Sequence, residues 1–271
     1  MNLKEFFAAL RKRDSGVFGT SLSAGQVRGC EAILDATADL SVAFRAYLLA
    51  TAYHETGRTM QPNVENLNYT TAARIRAVWP TRFPNNASAQ PFVRDPKALA
   101  NKVYNGRMGN QNGTDDGWNY RGRGLVHITG RENYQRASPH VGADLVREPG
   151  AALREDIAAI CLVRGCVEGW YTGVGLGRYL PGDYVNARRV VNGTDRAEQI
   201  AGYARAFEAA LRAAGSGNEP GRTAAAPKPK PKPVVSQPLT PKPVVANETP
   251  SGEHQRGWFA AMLALFTGGR A

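Results

Sequence analysis

Between Ser41 and Glu55 the sequence SVAFRAYLLATAYHE runs without a glycine or a proline, and Gly57 and Pro62 follow at once. The run is long enough for about four helical turns, and at 3.6 residues per turn Phe44, Leu48, Thr51 and Glu55 fall on one narrow stripe. Glu55 therefore ends a helix on the face expected to be buried. Desolvation and the negative end of the helix dipole both favour a protonated carboxyl, which suits a general acid. Gly57 and Pro62 stop the helix, so Glu65 falls on the following loop or turn, where it is expected to be wetter and ionised. That suits a base. Two carboxylates so placed are the minimum apparatus for cleaving a glycosidic bond, one giving a proton to the leaving oxygen and the other activating water or attacking directly. The plain alternative is a helix-terminal Glu55 paired with Arg58 and a solvated Glu65. His54-Glu55 also opens like a zinc-protease helix, but the second ligand position, three after Glu55, is Arg58, so neither metal nor cofactor is expected.

Residues 1–215 read as one globular catalytic unit rich in helices. Helices are expected near Leu3 to Arg13, Ser23 to Thr37, Ser41 to Glu55, Thr71 to Trp79, Ala151 to Val167 and Arg196 to Ala214. Ser23 with Gln26 forms a capping-box pattern, and Asp195 or Thr194 can cap the last helix. From Pro80 to Gly124 the texture turns to Pro, Gly, Asn and Asp with Arg, Trp and Tyr interspersed, and a long irregular stretch of this kind is usually functional. Its end, Asp116 to Tyr134, carries the second strong signal, WNYRGRGLVHITGRENY at 118–134. Gly122 and Gly124 allow close backbone approach, and the alternation from Leu125 to Thr129 predicts a short strand presenting His127 and Thr129 on one face. Such groups can hold a water or an acetamido sugar. The alternative is a glycine-rich turn with an ordinary edge strand, and a solvated basic patch at Arg121 and Arg123.

Four stretches in this order resemble glycoside hydrolase family 19, the chitinases with their related phage endolysins and bacterial lysozymes: HETG at 54–57 with VENLNY at 64–69, VYNGRMGN at 103–110, the 118–134 stretch, and VVNG at 190–193. The resemblance covers roughly residues 40–205. It implies that Glu55 is the general acid and Glu65 the general base of an inverting hydrolysis, with the carboxyl groups roughly 6.5–9.5 Å apart to admit the attacking water. It implies that Thr129 helps Glu65 orient that water and that Asn133 and Asn192 bind sugar, with Tyr120 at the cleft. Arg123 and His127 complete the substrate-binding candidates; family members commonly carry Gln where this chain has His127. The implied fold is mainly α, lysozyme-like, with two helical lobes and a central cleft.

Composition bears on the substrate. Thirty-four basic against 23 acidic residues, net +11, favour a polyanionic partner. Nucleic acid is suggested only by this charge, without a recognisable binding motif, and is not expected. Cys30, Cys161 and Cys166 are an odd set without metal-ligand companions and read as reduced core thiols, which fits folding in a cytoplasm. The N-terminal Phe6-Phe7-Ala8-Ala9-Leu10 run before Arg11-Lys12-Arg13 is too short for a signal-peptide core. Secreted plant-type chitinases bring a leader, paired cysteines and often a Cys-rich binding module. The expectation is therefore an endolysin made in a bacterial host cytoplasm, acting as a monomer on the glycan strands of peptidoglycan after release. Chitin is the alternative substrate, and a non-catalytic wall- or nucleic-acid-binding protein the alternative class.

Nine of the seventeen prolines lie between Pro220 and Pro250, and PKPVV occurs at both 231–235 and 241–245. Residues 216–252 thus read as a Pro/Lys linker reaching at most ~95 Å. Residues 253–271 read as a short amphipathic helix whose Trp258, Phe259, Met262, Leu263 and Phe266 gather on one side, too short to span a bilayer and suited to an anionic outer-membrane surface or a protein partner. Truncation after Ala214 is expected to leave hydrolysis of purified peptidoglycan unchanged and to reduce vesicle binding and killing of intact cells. With the other three tryptophans replaced, a blue shift of Trp258 fluorescence on adding anionic vesicles checks this; no shift, with thermal stability lost on truncation, would place the tail in the fold.

Overall fold

The computed structural model describes residues 1–216, so the linker and the apolar helix expected beyond lie outside the described residues. In chain order the structure contains α1 (Leu3–Leu10), α2 (Ala24–Ala36), α3 (Val42–Glu55), β1 (Asn63–Val64), α4 (Ala72–Val78), α5 (Asn86–Ala89) and α6 (Pro96–Tyr104). There follow α7 (Asp116–Asn119), β2 (Arg123–Gly124), α8 (Arg131–Val141), α9 (Glu155–Glu168) and α10 (Ala197–Ala213), with short 3-10 turns between several of them. The fold is mainly helical, as the sequence predicts. Among the described residues the chain divides into two compact units, one made of Met1–Pro62 with residues 154–216 and the other of Asn63–Leu153.

In the first unit α3 packs along α10, α2 packs against α9, and α1 lies on α10. Where the sequence predicts a narrow buried stripe on α3, Phe44 and every residue from Ala46 to Tyr53 are buried. The reason is in the composition of the helix: between Val42 and Tyr53 only Arg45 is charged, and a helix apolar all round is a core helix. Tyr53 meets Tyr203 and Phe207 of α10 edge-on, with ring centroids 4.9 and 6.0 Å away. Fully burying a side chain such as Leu48 or Leu49 contributes about 1.5–3 kcal/mol. The Ser23–Gln26 capping box is formed, each side chain accepting from the other residue's backbone N–H at 3.2 and 2.8 Å. Neither Asp195 nor Thr194 caps α10 by its side chain. Arg196 occupies the cap with φ 54°, and Ala197 N–H donates to the Thr194 carbonyl at 3.2 Å.

The second unit is built around a cluster that includes Leu67, Tyr69, Ile75, Trp79, Phe83, Leu99, Val103 and Tyr104. The segment expected to be irregular contributes α5, α6 and α7. Its start signal is ordinary: Asp95 accepts from Ala98 N–H at 2.9 Å, and Pro96, with its fixed φ, stands in the first turn of α6. Leu125 to Thr129 is not the predicted strand. Arg123 and Ile128 exchange backbone hydrogen bonds of 3.2 and 2.9 Å, so the residues between them are a reversal. Gly124 at φ 98° and His127 at φ 53° make that reversal, and β1 pairs antiparallel with the incoming arm, Asn63 opposite Gly124 and Val64 opposite Arg123.

Gly29 of α2 tests how closely the first unit is packed. A Cβ built there would lie 1.9 Å from the Met60 carbonyl oxygen, whereas one on Gly202 of α10 would meet nothing within 4 Å. Gly29→Ala is expected to cost about 1–3 kcal/mol as overpacking, and Gly202→Ala to stabilise by about 0.5–1 kcal/mol through helix propensity. Urea unfolding midpoints of the two variants check the pair.

Candidate active site

Glu55 is placed by the way α3 ends. Gly57 takes φ 58°, Arg58 N–H donates to the Tyr53 carbonyl at 2.7 Å and Gly57 N–H to the His54 carbonyl at 3.2 Å, the paired bonds of a Schellman stop. Thr56 hardens the turn, its hydroxyl donating to the Ala52 carbonyl at 2.7 Å and accepting from Met60 N–H at 2.9 Å. The Glu55 carboxylate does not pair with Arg58. It accepts from Nη1 of Arg188 at 2.5 Å, and the two side chains are 16% and 1% exposed respectively. Arg188 also donates from Nε to the Asp195 carbonyl at 3.2 Å. The expectation of a protonated Glu55 left out this guanidinium, 133 residues away in sequence, whose charge favours the carboxylate. His54 beside it is held below its ordinary range, by burial first, while the Glu55 charge works in the other direction. Asn192 lies in the same unit, half-buried, its N–H donating to the Arg188 carbonyl at 3.0 Å.

Glu65 is the more buried carboxylate, at 4% exposure, where the sequence predicts the wetter of the two. The turn after α3 does not leave it in solvent, because the chain enters β1 and Glu65 continues that pairing, its N–H donating to the Gly122 carbonyl at 2.9 Å. The Tyr104 hydroxyl reaches Oε1 of the carboxylate at 2.6 Å and Gly122 N–H reaches Oε2 at 3.2 Å, and the charge of Glu65 also acts on the Arg121 guanidinium. Gly122 is obligatory here, since a Cβ would lie 2.9 Å from His127 Cβ and 3.3 Å from Glu65 Cβ. His127 packs across Gly122 with its Nε2 2.5 Å from Asn63 Oδ1. Thr129, 5% exposed, donates to the His127 carbonyl at 2.9 Å, and Asn133 donates to the Thr129 carbonyl at 2.8 Å. His127, Thr129 and Asn133 therefore form one hydrogen-bonded run, which packs beside Glu65 across Gly122.

Two sugar-contact candidates are interior residues instead. The Tyr120 ring is 5% exposed and its hydroxyl donates to the Val146 carbonyl at 3.1 Å. Arg123 is 7% exposed, so the solvated basic patch is not observed at that position. Its Nη1 donates to the Asn119 carbonyl at 2.6 Å and the Tyr134 hydroxyl at 2.9 Å, and that hydroxyl donates to the Arg121 carbonyl at 2.7 Å. A buried guanidinium is tolerable because carbonyls and a phenol satisfy it, and it fixes the backbone next to Gly122. Arg121 stacks on Trp118, 3.5 Å above the ring, and burial with the charge of Arg123 lowers it to about 10. Sequence reasoning missed Arg188 and Tyr104. Tyr104 lay within the 103–110 stretch, but nothing in the periodicity marks Arg188 as a partner of Glu55.

No family model matches the chain. A stretch of 105 residues is 37% identical to a curated protein of Haemophilus influenzae described as a glycosyl hydrolase family 19 domain-containing protein; it covers 38% of this chain and 52% of that protein. The chain thus spans about half the length of the curated relative it matches. The family 19 resemblance read from the four stretches is met by a relative bearing that family's name. Similar solved structures are chitinase C from Streptomyces griseus HUT6037, at 16% identity and a TM-score of 0.44 over 79% of this chain and 76% of that one. A bacterial family 19 chitinase follows at 20% identity and a TM-score of 0.35 over 80% and 95%.

Arg188→Met should lower the unfolding free energy by about 3 kcal/mol, the low end for a broken buried pair, because Glu55 keeps some access to water. Arg164→Met removes the exposed Arg164–Glu168 pair of α9 and should change it by less than about 0.5 kcal/mol. Urea titrations of both variants measure the contrast.

Proposed function

We propose that this relative of glycoside hydrolase family 19 is an endolysin-type enzyme that hydrolyses peptidoglycan glycan strands between N-acetylated amino sugars. One observation carries the reading: three of the four stretches that bear the resemblance meet at a single carboxylate. Glu65 comes from the first, Tyr104 from the second and Gly122 from the third, with His127 packed across Gly122 and Thr129 bonded to the His127 carbonyl. In this reading Glu65 is the base that removes a proton from the attacking water, Thr129 shares in orienting that water, and Glu55 donates a proton to the leaving oxygen. Asn133 and Asn192 contact the sugars. Tyr120 and Arg123 serve indirectly, by fixing the backbone on which Gly122 and Thr129 stand.

The preference for peptidoglycan over chitin rests on charge. Net +11 favours a substrate that carries carboxylates, and chitin carries none. Synthesis in a bacterial host cytoplasm and action on the wall after release belong to the same proposal, as does the monomeric state. Mass spectrometry of products released from purified peptidoglycan tests the substrate: reducing-end muramic acid means muramidase action, and cleavage of chitin oligomers with none of the wall would make the protein a chitinase.

Glu55→Gln and Glu65→Gln should each lower turnover by roughly two to four orders of magnitude, the worth of a positioned proton donor or acceptor. Glu55→Gln also removes the charge beside Arg188, so circular dichroism must show the variant folded before its rate is read. A folded variant keeping more than about a tenth of wild-type turnover has lost its assigned role. Early-time NMR should show the product anomer inverted; retention would point to a covalent intermediate.

A further inference from the structure

The stretch Val103-Tyr104-Asn105-Gly106-Arg107-Met108-Gly109-Asn110 carries part of the family resemblance, yet the proposed mechanism gives none of its residues a task. Tyr104 is the last residue of α6, with its ring in the core cluster of the second unit and 4% exposed. Everything behind it is tied down. Asn110 donates from Nδ2 to the Tyr104 carbonyl at 3.1 Å, accepts from Arg131 N–H at 2.9 Å through Oδ1, and accepts from Gly106 N–H at 3.0 Å through its backbone carbonyl. Asn105 donates to the Thr114 carbonyl at 2.7 Å and accepts from Gly117 N–H at 2.7 Å. Two asparagines therefore take up polar backbone groups of a loop that has no ladder of its own, and the phenol at their apex has little freedom to move.

We propose that Tyr104 is a positioning residue for Glu65 and that the 103–110 stretch exists to hold its hydroxyl on one carboxylate oxygen. The inference rests on Glu65 being the base. An O–H donor to an ionised carboxylate makes a short, strong hydrogen bond, and 2.6 Å is the length of one. The direction of donation is fixed, since burial, and next the charge of Glu65, hold the phenol well above its ordinary range and keep it protonated. Gly122 N–H takes the second oxygen at 3.2 Å, so both carboxylate oxygens are anchored and the plane of the group is set. A carboxylate offers about four acceptor sites. The phenol and the peptide N–H each take one, on different oxygens, which fixes the orientation of the base.

Tyr104→Phe in the full chain tests this, because it keeps the ring and removes only the hydroxyl. With soluble oligomers of N-acetylated amino sugars, kcat is expected to fall about tenfold while KM stays within about twofold, the pattern of an interaction that matters in the transition state. Loss of a donor to the ionised form should also move the acid limb of the pH–rate profile upward by about one unit. Independently of activity, carboxyl-13C NMR of glutamate-labelled protein, with the Glu65 signal assigned from Glu65→Gln, should show the same upward shift in Tyr104→Phe. An acid limb and a Glu65 titration that stay in place would overturn the proposal, even if activity falls, since Tyr104 would then be structural only. Substantial activity in Glu65→Gln would overturn the base reading, and this proposal with it.

Discussion

A guanidinium taken almost wholly out of water needs either a full set of neutral acceptors or a counter-charge, and the arrangement of the first unit around Arg188 follows from the second solution. The counter-charge is Glu55, at the end of the helix that is most deeply buried in that unit. To present it, α3 has to stop at one residue, and the Gly57 stop with the Thr56 hydroxyl provides the means. The pairing is incomplete: Nη2 of Arg188 and Oδ2 of Asp195 are buried without hydrogen-bond partners among the described residues. Polar atoms left so are costly, and stability is given up here as it is at Arg45 Nε and the Tyr47 hydroxyl.

The second unit meets a different constraint. Little of its chain between Tyr104 and Arg131 lies in helix or strand, so its buried backbone groups must be paired by side chains. Asn101, Asn105, Asn110, Arg123 and Tyr134 do this, each bonded to at least one main-chain group. Of these, Asn110 and Tyr134 hold the Tyr104 and Arg121 carbonyls, next to the two groups that bond Glu65. Rigidity there comes from buried polar networks, which hold positions closely when every member is satisfied.

The contrast explains what could be read from the sequence. Helices α2 and α3 were legible because their signals are local: a capping box, a run free of Gly and Pro, and a glycine stop. The family stretches located the site residues for the same reason. The environments of Glu55 and Glu65 were not legible, and their expected burial came out reversed. Local reasoning gave Glu65 to solvent because it follows Pro62, but Gly122 covers it, and Gly122 is 57 residues away. Likewise the alternation from Leu125 to Thr129 imitates a strand, whereas positive φ at Gly124 and His127 folds the segment back on itself. The Asp95-Pro96 start of α6 was readable and was hidden only by the Gly- and Asn-rich text around it.

The difference in partners suits the two proposed roles better than the environments first read from sequence. An acid becomes negative as it gives up its proton, so a fixed cation beside it stabilises charge that develops in the transition state. Arg188 is placed to do this for Glu55, at the expense of making proton uptake harder beforehand. A base loses its negative charge as it accepts a proton, and a full cation at close range would oppose that loss. Glu65 is anchored by a phenol and a peptide N–H, which favour the carboxylate less strongly than a close ion pair does and still fix its direction, with the charge of Arg121 acting on it as well. A donor that is helped after it reacts and an acceptor that is oriented without being locked in its charge are what general acid/base hydrolysis asks of two glutamates that start out chemically identical.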